Sequence, residues 1–255
     1  MILVEPPRTA WDLKWTMLRT PVRVHPWFWL VSLLLCYHEL LPFGMVLTSM
    51  ACLLFSVLVH EFGHAMCGRY YGDRGSRVVI YSLGGLCISD REPPGHWPRI
   101  LISLWGPGAG FILGALAFCT LWASRTGHVP ALDMYPEWAL RSLVWFNLVW
   151  GAVNLLPIFP LDGGQIFREL AAWKAPRRGD RFAFRVSFYA ALVMAVLGLA
   201  LYFFEPAYGL VPMLFFVVMA YSTWDLLRQL SRYGGLAEHE APRQPWEQDS
   251  DWWKK

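Results

Sequence analysis

Charge is scarce in this chain of 255 residues. Asp, Glu, Lys and Arg make up 16% of it, against roughly 25% in ordinary soluble domains. Hydrophobic residues make up 56%, the composition of a membrane protein. The net charge of +3 is small, and its distribution matters more than its sum. No nucleic-acid motif accompanies it, so no nucleic-acid partner is expected. Paired cysteines are missing as well. Cys36, Cys52, Cys67, Cys87 and Cys119 are odd in number, scatter through apolar stretches and form no C-x-x-C pair. That pattern argues against a disulfide scaffold and against a zinc ribbon. The N-terminus lacks a basic region followed by an apolar core, so no cleavable signal peptide is expected. There is no internal repeat, and no appended soluble domain is expected.

What the chain has instead is long apolar runs. Residues 26–41, 45–68, 99–123, 138–156, 183–204 and 208–227 read as six spans. The expected fold class is a membrane all-α protein of six transmembrane helices. The first span is short, with Trp27 and Trp29 as interface anchors. Residues 1–25 form an N-terminal interfacial arm, in which Thr9-Ala10-Trp11-Asp12 resembles a capping box. The arm is expected to be a short helix lying on the lipid surface, or else irregular. Residues 78–88 predict two short strands about a Gly84-Gly85 turn, a membrane-associated β-hairpin between helices 2 and 3. It should press against the membrane domain, because open strand edges are tolerated there only when buried or facing a cavity. The six-span domain covers 26–230. Residues 231–255 are expected to be a disordered cytoplasmic tail. Lys and Arg cluster at 8–23, 69–99, 168–185 and 228–232, while the opposite loops contain only Arg125. The positive-inside rule then places both termini in the cytoplasm. A bacterial plasma membrane is the expected location.

One pentapeptide interrupts the second run: His60-Glu61-Phe62-Gly63-His64. An ionisable group inside a span costs ~2.5–3.5 kcal/mol or more and is functional by default. Residues i and i+4 share a helix face, so His60 and His64 can reach one metal ion. Glu61 is rotated away and is free to act as a base on water. About fifteen apolar residues precede His60, which puts it roughly 22 Å into a core about 30 Å thick. Zinc with two histidines wants a third protein ligand and an open position. Asp162, in Asn154-Leu-Leu-Pro-Ile-Phe-Pro-Leu-Asp-Gly-Gly164, is the best placed carboxylate. Pro157 and Pro160 break the fourth span there, as is expected where backbone lines a polar cavity. Taken alone, Asp162 reads more readily as a helix N-cap after a proline loop. Beside the histidines it reads as a ligand. Cys67 shares a helix face with His60 and His64, but a small buried core residue is the better reading of it.

With these residues in hand, the chain resembles the site-2 protease family of intramembrane zinc metalloproteases, in a minimal form without PDZ or CBS domains. The resemblance rests on HEFGH in the second span and on Asn154-x-x-Pro157-x-x-x-Leu161-Asp162-Gly163 in the fourth. The Gly84-Gly85 hairpin and Gly106-Pro107 add to it, so that it covers about residues 45–175. It implies one Zn2+ per chain held by His60, His64 and Asp162, with Glu61 as catalytic base. It also implies that Asn154 stabilises the substrate or intermediate and that the hairpin binds substrate by strand addition. The expected partner is a transmembrane protein substrate in the lipid bilayer, such as a membrane-tethered anti-sigma factor. Two other readings stand beside it. One is a transporter or zinc-handling protein using the His/Asp site. The other is a relative that binds membrane helices without cutting them.

Overall fold

The computed structural model describes residues 5–82, 84–91, 93–176 and 178–240. Contact density divides the chain into two units, Met1–Ala183 and Phe184–Lys255. Among the described residues, four helical stretches are long and apolar enough to cross a membrane: Phe43–Tyr70, His96–Arg125, Gly179–Phe204 and Gly209–Ser231. The protein is a mostly helical integral membrane protein with a small sheet.

The first unit begins with strands, where the sequence predicted an interfacial helix. β1 (Leu13–Met17) and β2 (Thr20–Val24) form an antiparallel hairpin. Leu18 and Arg19 both take positive φ, 47° and 62°, as a tight two-residue hairpin turn requires. The Thr9–Asp12 pairing does form, at 3.0 Å from Thr9 N and 2.6 Å from Thr9 Oγ1. It closes a turn ahead of a strand rather than opening a helix. β2 then pairs in parallel with β3 (Arg77–Tyr81), which pairs antiparallel with β4 (Gly84–Ile88). The expected hairpin is therefore half of a four-stranded sheet. Gly84 and Gly85 lie in β4 and not in the turn, which begins at Ser82 with φ 53°.

One face of this sheet makes a core with two helices. α1 (Pro26–Cys36) is capped by His25, whose Nδ1 accepts from Trp27 N at 3.2 Å. It is shorter than the predicted first span. α2 (Phe43–Tyr70) carries the pentapeptide. Val22, Val24, Val78 and Ile80 of the strands pack with Phe28 of α1 and with Val46, Leu53, Val57 and Phe62 of α2. The buried Arg23 is held by Glu5 at 2.9 Å and Asp12 at 3.1 Å. Arg69, near the end of α2, grips Leu18 O and Thr20 Oγ1.

α3 (His96–Arg125) crosses α2 at glycines. A Cβ on Gly63 would strike Trp105 O, so the backbones touch there. The predicted fourth span is three pieces: α4 (Met134–Val144), a π-helical segment (Trp145–Val149) and α5 (Trp150–Asn154). A turn then leads into α6 (Asp162–Lys174). Glu169 of α6 meets His96 Nδ1 at 2.7 Å, with Arg168 at 3.2 Å and Arg99 at 3.7 Å. α7 (Gly179–Phe204) runs into the second unit, which continues with α8 (Pro206–Glu240). Within that unit the two helices approach at Gly198, where a Cβ would lie 2.7 Å from Met213 N. The tail expected to be disordered from 231 is helical to Glu240, and its remainder lies outside the described residues.

Candidate metal centre

α2 presents His60 and His64 one helical turn apart, with Nε2 atoms 3.1 Å from each other. The turn after α5 delivers Asp162 to the same place. Its Oδ2 lies 3.0 Å from His60 Nε2, and its Oδ1 lies 3.3 Å from His64 Nε2. Among the described residues this is the cluster of metal-ligating side chains, with ligand atoms all within 4.8 Å of one another. Cys67 is buried but is not part of it. The donor set suits zinc. Two ligands about 2.0–2.1 Å from one ion at a tetrahedral angle stand about 3.3 Å apart, close to the separations seen.

Neighbouring backbone fixes His64 and Asp162. His64 Nδ1 donates to Ile102 O of α3 at 2.7 Å, which in the neutral ring leaves Nε2 as the nitrogen able to bind a metal. Gly106 of α3 lies under the same ring, where a Cβ would overlap Nε2 and Cε1. Asp162 opens α6, with Leu161 as the cap residue. The preceding turn folds back so tightly that Cβ atoms on Gly163 and Gly164 would overlap the backbone of residues 155–159. These are the close approaches for which glycine is suited. Gln165 Nε2 steadies the turn by donating to Pro160 O at 3.2 Å.

Glu61 follows His60 on α2 and is 5% exposed. Strand β4 covers it. A Cβ on Gly85 would come within 2.5 Å of the carboxylate carbon, and the backbone of Cys87 hydrogen-bonds to the carboxylate. Asn154 is the last residue of α5 and is half-buried at the start of the turn that ends at Asp162. Sequence reasoning found His60, Glu61, His64 and Asp162, and the structure brings them together. It missed the roles of Gly63, Gly85 and the Ile102 carbonyl. A backbone carbonyl has no sequence signal, Gly63 was visible only as a small residue, and Gly85 was read as part of a turn.

These features define an integral membrane protein with a largely buried cluster of side chains able to hold one metal ion. Peptidase family M50 matches residues 48–137 and 129–198. A zinc metalloprotease of Methanocaldococcus jannaschii is 29% identical over 181 residues, covering 70% of this chain and 51% of its own. Stage IV sporulation protein FB of Bacillus subtilis is 29% identical over 185 residues, covering 71% of this chain and 58% of its own. The chain thus spans about half the length of the curated relatives it matches. The solved structure of the site-2 protease from Methanocaldococcus jannaschii has the same fold. Its TM-score is 0.54 at 20% identity, over 85% of this chain and 95% of that one. The chain belongs to peptidase family M50.

Proposed function

We propose that this chain is a zinc-dependent intramembrane endopeptidase, hydrolysing peptide bonds in or near the transmembrane segments of membrane proteins. The observation that carries this reading is the convergence of His60, His64 and Asp162 with Glu61 one residue along on an apolar helix. The two imidazoles and the Asp162 carboxylate would hold the metal. When bound, zinc supplies Lewis acidity, which makes water a nucleophile at neutral pH and polarises the scissile carbonyl. Glu61 takes the proton from the attacking water and returns it to the leaving amide nitrogen. The Asn154 amide donates to the substrate carbonyl oxygen as charge develops on it. β4, the end strand of the sheet, receives the unwound substrate as an added strand. A transport site and a non-catalytic helix binder, the two alternatives, leave Glu61 without a task.

In this reading α1 and the broken fourth span also lie across or within the bilayer, giving six spans with both termini cytoplasmic. The membrane is a bacterial plasma membrane, and the substrate a membrane-tethered regulator such as an anti-sigma factor. Glu61→Gln purified with zinc should keep its metal and lose cleavage of a transmembrane substrate. A wild-type rate from that variant would refute the assignment. In cells, comparative membrane proteomics should show a transmembrane fragment that accumulates only in the variant. Asp162→Ala should lose zinc, and a full metal equivalent in it would move the third ligand elsewhere.

A further inference from the structure

Asn147 is 3% exposed and is not one of the candidate metal ligands. It sits in the π-helical segment Trp145–Val149. Such segments are rare and concentrate at functional places. Its side-chain amide donates twice, to Ser56 Oγ on α2 at 2.8 Å and to Leu143 O on α4 at 2.8 Å. The third side of the residue rests on α3. A Cβ on Gly110 would lie 3.3 Å from Asn147 Oδ1, and one on Gly114 would lie 3.1 Å from Asn147 Cβ. One buried amide is thus seated against three helical elements.

Its partner lies one helical turn before His60. The same seam carries other polar contacts between α2 and the fourth span. Trp138 Nε1 donates to Ser49 Oγ at 2.8 Å, and Cys52 Sγ meets Ala139 O at 3.6 Å. Asn147–Ser56 follows, and then His60–Asp162 at 3.0 Å. In lipid, two apolar helices have little preference for one axial register over another, since sliding exchanges one apolar contact for its like. A buried polar pair removes that freedom.

We propose that Asn147 is a positioning residue that sets the register of α2 against the broken fourth span. It thereby sets the separation of His60 from Asp162. The inference rests on reading His60, His64 and Asp162 as the metal ligands.

The test uses the full chain in detergent with cobalt(II) in place of zinc, so that the visible absorption bands report ligand geometry without substrate. Asn147→Leu and Ser56→Ala should each shift those bands. Each should also lower kcat on a transmembrane substrate at least tenfold, with KM within twofold. Ser56→Thr, which keeps the hydroxyl, should restore both. The double variant should be no worse than Asn147→Leu, because the two side chains act through one bond. Wild-type bands in both single variants would overturn the proposal, and so would effects that multiply in the double. If Asn147→Leu does not fold, the bands of Ser56→Ala decide. A wild type that binds cobalt but cleaves nothing refutes the peptidase reading alone. One that binds no cobalt refutes both.

Discussion

Gly106→Ala tests whether the metal centre depends on a residue with no side chain. The new methyl group would overlap the His64 ring at Nε2 and Cε1. The ring has nowhere to retreat, since Nδ1 is held by Ile102 O at 2.7 Å and Gly63 already backs onto Trp105 O. The helices must separate, or the imidazole must turn and give up its bond to Ile102. Overpacking of this kind costs about 1–3 kcal/mol. Loss of an outer hydrogen bond to a ligand histidine costs about 10–100-fold in metal affinity. The assay is zinc affinity by chelator competition on detergent-purified protein, with thermal melting alongside. Gly108→Ala is the control. It lies two residues on in the same helix, with nothing within 4 Å of where its Cβ would stand. It should leave zinc affinity unchanged and be neutral or slightly stabilising, because alanine is the better helix former by about 0.8–1.0 kcal/mol. Equal zinc affinity in both variants would refute the cradle described here.

Gly85→Ala should abolish cleavage while zinc content stays at the wild-type level, because its methyl group would strike Glu61 and not a metal ligand; loss of metal would show that the strand does more than seat the base. Asp12 supplies a pH prediction outside the membrane. Burial raises its carboxyl, but the hydrogen bonds from Thr9 and the Arg23 guanidinium outweigh this and hold it at about 2. Its stabilisation is complete above the ordinary value of 3.8 and is lost as pH falls through about 2. Melting followed from pH 5 to pH 2 should show that loss in wild type, and Asp12→Asn should flatten it. Glu169→Ala leaves His96, Arg99 and Arg168 without their shared carboxylate. It should lower stability by about 1–3 kcal/mol, read as an earlier melting point.

The candidate metal donors were legible because their signal is local. Two histidines at i and i+4 need only a helix to converge, and α2 is long and apolar enough to be read without its neighbours. Asp162 was legible through scarcity, being a carboxylate beside prolines in a chain with few intramembrane charges. The N-terminal hairpin was not legible. Thr9 and Asp12 make the same kind of bond at a helix start and in a turn. What decides between them is the pairing of Val22 with Val78 and Val24 with Ile80, a contact across more than fifty residues of sequence. The glycines misled for a related reason. Gly84-Gly85 reads as a turn because glycine suits turns, yet Gly85 is required in the strand by the carboxylate of Glu61.

α3 shows why a site can be half visible in a sequence. It contributes no metal-ligating side chain, and no pattern of charged residues marks its central turns. Its part in the centre is made of what does not vary with side-chain chemistry. The Ile102 carbonyl sets which nitrogen of His64 is free. The bare Cα of Gly106 leaves room for that ring, and Gly63 lets the two backbones close up. Only at its N-terminus does α3 act through a side chain, where His96 holds Glu169 and so ties α6, the helix that opens with Asp162, to the helix beneath His64. Motif reading finds the groups that bind metal, since these must be particular side chains. The groups that aim them are backbone atoms and absent methyl groups, and these become specific only when the helices are seen to cross at one place.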